Sequence, residues 1–144
     1  MNIQFFTEDV SFGLQQEYGI PQWIQSIVEE HSFQIKELNY IFCSDDYLLK
    51  VNQDHLNHDY FTDIITFDNS DETSTIESDI FISIDRIREN AQEHNVSFQH
   101  ELHRVMAHGV LHLLGFNDKT EEDQRTMREK ENACLSLLDN QRST

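Results

Sequence analysis

Apolar positions along the chain recur at two spacings, alternate residues and every third or fourth residue, and the order of these segments indicates the fold class. Residues 2–6 read as a short strand. Pro21 opens a helix, where its missing N–H is no loss, and Trp23, Ile24, Ile27 and Val28 fall on one face. Leu38, Tyr40 and Phe42 alternate with their neighbours as in a strand. Ser44 and Asp45 suit the cap of a helix that carries Leu48, Leu49 and Val51. Residues 63–67 and 79–84 are β-branched and aromatic-rich strands, with a polar turn at 68–72 between them. Ile84, Ile87 and Ala91 predict a helix after the second of these strands. Ser97 caps a longer helix that runs to about Leu114. A last helix spans about 120–138, with Met127, Cys134 and Leu138 along one side, before a tail at 139–144 expected to fray. Strands come first and helices gather towards the end. That order predicts an α+β fold: a small mixed four-stranded sheet packed with about five helices. A length of 144 residues without a Gly/Ser/Pro-rich linker or a repeat fits a single domain over 1–144.

The chemistry is concentrated in the run from His108 to Asp118, HGVLHLLGFND. Two histidines four apart on a helix lie about 40° apart around its axis, so both imidazoles leave one face one turn apart. Such a pair suits one tetrahedral ion. Gly115 then stops the helix, because glycine accepts the left-handed conformation at no steric cost. The returning chain brings Asp118 as a third ligand. The spacing H-x3-H-x5-D matches that of the metzincin pattern H-E-x-x-H-x-x-G-x-x-H. Where that pattern has its glutamate base, however, this chain has Gly109. The segment therefore reads as a zincin-like metal helix without the peptidase base. Its ligands would be His108, His112 and Asp118, holding one divalent ion per chain, zinc by donor type. A fourth position stays open for water, the only catalytic group the spacing identifies. The same helix carries Leu102, Val105, Met106 and Leu113 at core spacing, so its other side packs inward. His103, five residues before His108, points away from the ligand face, and His31 and His94 stand near predicted helix ends.

These residues also carry a family resemblance. The run HGVLHLLGFND resembles the hallmark H-G-x-L-H-L-x-G-Y-D-H of the YbeY endoribonucleases of bacteria. A second block, VNQDHLNHDYFTDIITF from Val51 to Phe67, is similar to the family's L-N, tyrosine-arginine and D-x-P-T-D-V-L-S-F elements. A third, SDIFIS from Ser78 to Ser83, matches G-D-I-x-I-S, and Glu121, Glu122, Asp123 and Met127 follow the metal motif as in the family. The resemblance covers about residues 50–130. It implies a hydrolase: a zinc-dependent, single-strand-specific endoribonuclease acting in ribosomal RNA maturation and ribosome quality control. Ribosomal RNA, and a ribosomal subunit or ribosomal protein, would be its partners. Two positions depart from the family pattern. Asp118 replaces its third histidine, and Leu56 stands where the family has an arginine thought to bind or activate phosphate. An aspartate ligand leaves the ion less positive than three imidazoles would, which makes its water less acidic. The resemblance implies substrate contacts from His55 and His58, and the basic residues Arg86 and Lys119 lie close to the motif blocks in sequence. Two other readings stay open: a metallopeptidase of metzincin-like geometry, and a non-catalytic, metal-stabilised, ribosome-associated binding factor.

Charge complicates the RNA reading. Ten basic residues face 27 acidic ones, a formal net charge of −17. A nucleic-acid binder normally shows the opposite balance. The field of the whole chain repels RNA, so contacts to it must be local. No apolar stretch approaches the roughly 18 residues of a membrane span. MNIQFFTEDV lacks the basic start of a signal peptide, and Cys43 and Cys134 are too few for a disulfide framework. A cytoplasmic protein without membrane contact is the expectation.

Overall fold

The computed structural model describes residues 2–11, 19–57 and 61–142. Among them the order is β1 (Ile3–Thr7), α1 (Ile20–Glu30), β2 (Gln34–Cys43), α2 (Asp45–Leu56), β3 (Ile64–Asp68), β4 (Thr75–Ser83), α3 (Ile84–Glu93), α4 (Phe98–Leu113) and α5 (Glu121–Arg142). The four strands form one sheet in the order β1-β2-β4-β3. β1 and β4 both run parallel to β2, and β3 closes the edge antiparallel to β4. The α+β expectation with four strands and five helices is met.

Alternation along β2 sends successive side chains to opposite faces. Leu38, Tyr40 and Phe42 join the main core with Ile80 and Ile82 of β4, Trp23, Ile24 and Ile27 of α1, and the inner faces of α4 and α5. Cys43 points the other way, into a smaller cluster with Leu48 of α2 and Ile65 of β3. Two buried polar groups tie the layers together. The Trp23 indole N–H donates to the Cys134 carbonyl at 2.7 Å, and the Tyr40 hydroxyl to the Met106 carbonyl at 3.1 Å.

β1 and β3 each sit one residue later than read and β4 ends one residue sooner, and three further boundaries differ. β4 begins at Thr75, four residues early, because the polar 75–79 stretch pairs along β2 from Gln34 onward. α5 continues to Arg142, so 139–142 are helical where fraying was expected. Pro21 is the second residue of α1, one position further in than read.

Candidate metal centre

Helix α4 begins at Ser97, whose side chain accepts from the His100 N–H, and carries His108 and His112 in its last two turns. Its end is a Schellman arrangement: the Gly115 N–H reaches the His112 carbonyl at 3.0 Å, and the Phe116 N–H the Leu111 carbonyl at 3.0 Å. Gly115 adopts φ +107°, which explains a glycine there. Five residues on, Thr120 caps α5, its hydroxyl accepting from the Asp123 N–H at 3.0 Å. Asp118 is thus clamped between a helix stop and a helix start, and the Gln124 side chain donates to its carbonyl at 3.1 Å.

The three expected ligands converge. Asp118 Oδ2 lies 3.4 Å from both His108 Nε2 and His112 Nε2, and the two nitrogens are 2.9 Å apart. Ligand atoms at zinc distances in a tetrahedron stand about 3.3–3.5 Å from one another; both carboxylate–imidazole distances match this, the nitrogen pair at 2.9 Å is closer, and the donor types suit one such ion. Among the described residues this is the group of three or more His, Cys, Asp and Glu side chains able to share a cation.

A fourth residue orients the first ligand. Glu131 of α5 accepts from His108 Nδ1–H at 2.6 Å. A carboxylate only accepts, so the proton sits on Nδ1 and the Nε2 lone pair faces Asp118 and His112. Burial pushes the Glu131 carboxyl upward, but the hydrogen bond from His108 and the charge of Arg104 outweigh it and hold Glu131 below the usual range. Arg104 also donates to Glu131 at 3.0 Å and grips Glu101 through two bonds of 2.6 and 3.0 Å. Glu101, Arg104, Glu131 and His108 form one nearly buried chain behind the site. Sequence reasoning passed over Glu131, although a signal was present. It occupies the inward stripe of α5 with Met127, Cys134 and Leu138, where a lone carboxylate requires a partner.

A cleft of about 530 Å³ opens onto the ligands and is lined by His108, His112 and Asp118 together with Leu56, Asp63 and Asp68 among others. Asp63 is a second residue that sequence reasoning did not single out. Burial raises its carboxyl above the ordinary range, against the opposing charges of His108 and Arg104. The remaining expected contacts are placed elsewhere. His55 packs edge-to-face on Phe67, 6.0 Å between centroids, and lines a separate cavity with Asp79 and Phe81. Arg86 is held by Asp45 at 2.8 Å and covers the Phe61 ring. Lys119 is exposed and is not part of the cleft wall. His58 lies outside the described residues. His103 is buried against Trp23, consistent with a structural role.

Gly109 faces the sheet. A Cβ there would stand 2.9 Å from Ile64 Cδ1 and 3.1 Å from Ile80 Cδ1. The position that carries the base in a metalloprotease is here a close contact between helix and sheet.

Comparison with known proteins agrees with this picture. The Endoribonuclease YbeY family model matches residues 2–139. An Endoribonuclease YbeY of Cytophaga hutchinsonii is 55% identical over 94% of this chain and 94% of its own length. One from Amoebophilus asiaticus is 45% identical over 93% and 91%. A Thermotoga maritima protein solved in solution superposes with a TM-score of 0.71 at 26% identity, covering 98% of this chain and 92% of the other. With the family hallmark on α4 and the match running through nearly the whole sequence, the chain belongs to the Endoribonuclease YbeY family.

Proposed function

We propose that the protein is a zinc-dependent endoribonuclease that cuts single-stranded RNA during ribosomal RNA maturation and ribosome quality control in the cytoplasm, working as one domain over 1–144. The observation that carries this reading is the convergence of His108, His112 and Asp118 on one point at the wall of an open cleft. His108 and His112 each contribute a neutral imidazole nitrogen, and Asp118 contributes one negative charge. A bound zinc ion supplies a Lewis acid that lowers the pKa of a water ligand toward about 7 and stabilises charge growing on phosphoryl oxygens. The chain's own groups do the rest. Glu131 keeps His108 in the tautomer that binds, and the charge of Glu131 is itself held by Arg104. Asp63, in the same wall with its carboxyl raised by burial, is the group this reading assigns to give a proton to the leaving oxygen. Ile64 and Leu113 form apolar parts of the cleft wall. No helix among the described residues is long and apolar enough to cross a membrane.

The test is incubation of the purified protein with a single-stranded RNA and, in parallel, with casein, each with and without a chelator. Cutting of RNA that stops on chelation and in a His112→Ala variant, with casein intact, is the expected result. Metal-independent cutting, or casein cleavage, overturns it. One observation favours a second reading, a ribosome-associated factor that binds without cutting. Among the described residues the cleft is lined by three carboxylates, Asp63, Asp68 and Asp118, and by no lysine or arginine. Co-sedimentation with ribosomal subunits in the absence of any RNA cutting would select that reading.

A further inference from the structure

The cleft leaves a question of charge. A phosphodiester backbone needs cations close by, yet among the described residues the cleft wall holds three carboxylates and no lysine or arginine. Two smaller cavities adjoin, one sharing lining residues with the cleft and the other with the first. The first, about 200 Å³, shares His108 and Asp118 with the cleft and is walled by Arg104, Gln124, Arg128 and Glu131. The second, about 260 Å³, shares Arg104, Arg128 and Glu131 with the first and reaches His94 and His100 at its end. Through these shared walls the three spaces adjoin in series, and they are taken together as one track past His108 and Asp118.

Of the ten lysines and arginines, only Arg104 and Arg128 line this track. Arg104 is committed to Glu101 and Glu131. Arg128 stands exposed on α5 and makes no ion pair with any described residue, so its planar fork of donors is free. The acids in this part of the track are already compensated. Glu101 and Glu131 both bond to Arg104, and Glu131 also to His108. Asp118 borders both sides; apart from it, the formal charges of Glu101, Arg104, Glu131 and Arg128 cancel, whereas Asp63 and Asp68 leave the cleft side at two further negative charges before an ion binds. Along the track the α5 side is therefore the more favourable place for an anion.

We propose that Arg128 and the groove between α4 and α5 form the phosphate-binding subsite for the RNA strand. The backbone lies in this groove, with His94 and His100 offering further ring donors, and the strand then passes over His108 and Asp118. The neutral part of the cleft, with Leu56, Thr62 and Thr66, receives the less charged sugar and base on the other side of the cut. This assignment rests on the endoribonuclease reading. It makes Arg128 a binding residue whose contribution is largely to affinity and is screened by salt.

The test is single-turnover cleavage of a single-stranded RNA by the zinc-loaded protein, titrated to obtain the half-saturating concentration and maximal rate at several KCl concentrations. Arg128→Ala, Arg128→Lys and Arg125→Ala are compared; Arg125 is exposed on the same helix and lines none of the three cavities. For Arg128→Ala, half-saturation should rise about fivefold to tenfold at low salt while the maximal rate stays within about twofold. The slope of log affinity against log salt should shrink by about 0.7, one single-strand phosphate contact. Arg128→Lys should recover the slope, and Arg125→Ala should change affinity by less than about twofold. If wild type cuts RNA but Arg128→Ala matches Arg125→Ala in affinity and slope, the subsite is wrong and the function stands. If wild type cuts no RNA, the endoribonuclease reading falls and the subsite with it.

Discussion

At the scale of single residues, Glu131 and His103 show opposite fates of buried titratable groups. Glu131 is only 5% exposed and survives as a carboxylate because it accepts from both His108 and Arg104. Glu131→Gln keeps the shape but removes the charge that fixes the His108 tautomer. Zinc affinity, measured by chelator competition, should fall about 10-fold to 100-fold; an unchanged affinity would mean that the bond to His108 is incidental. His103, also 5% exposed, has no partner for Nε2 and is neutral. Burial lowers its pKa to about 4 from 6.5, helped by the charges of Arg142 and His100 and opposed by Asp139. Between those values the unfolded chain holds a proton that the folded chain refuses. Stability is therefore lost as pH falls from about 6.5 towards 4, and this contribution is flat above that window. A His103→Phe variant should lose about 2 kcal/mol less than wild type between pH 7 and pH 5 in urea unfolding. Equal losses would show that His103 is protonated in the fold.

Among the elements, α4 carries the account, because one side of it holds the ligands while the other presses on the sheet. Gly109 sets that approach through Ile64 and Ile80. Gly109→Ala needs only a δ-methyl to swing aside and gains about 1 kcal/mol of helix propensity, so its stability should stay within about 1 kcal/mol of wild type. Gly109→Glu forces a carboxylate against two isoleucines and should cost about 3 kcal/mol or more. It should also bring no caseinolysis, although it restores the protease pattern in sequence. A stable Gly109→Glu protein that digests casein would contradict both the packing and the exclusion of peptidase chemistry. Much of this element was legible in advance: the i,i+4 histidines, the Ser97 cap and the Gly115 stop are local signals that the backbone obeys directly. β4 was legible only from Asp79 onward, since Thr75, Glu77 and Ser78 gain strand structure from pairing with β2, a contact distant in sequence. The parallel order β1-β2-β4 was likewise unreadable from alternation, which gives faces but not neighbours. The same limit hid Glu131 and Asp63. Three ligands within eleven residues announce themselves, whereas residues brought in from α5 and from the edge of β3 become visible only once the helices and sheet have met.

On the scale of the whole molecule, a chain of net charge −17 is asked to hold a polyanion. Its ten cations are mostly engaged in local contacts, such as Lys36 with Glu72 and Glu77, Lys50 with Asp54, and Lys130 over Phe116. Long-range steering therefore works against RNA, and capture depends on the few groups around the ligands. The ion itself is the largest positive charge such a surface can present. The chemistry thus rests on one metal position, where the ion would bring the positive charge that the cleft wall lacks. The most direct measurement of that claim is a zinc titration of metal-stripped protein with single-stranded RNA cleavage as the readout. Cleavage should be absent at the start, rise linearly, and saturate at about one equivalent per chain, with no recovery in a His108→Ala, His112→Ala double variant. Cleavage that persists in the stripped protein, or that recovers equally in the double variant, would contradict it.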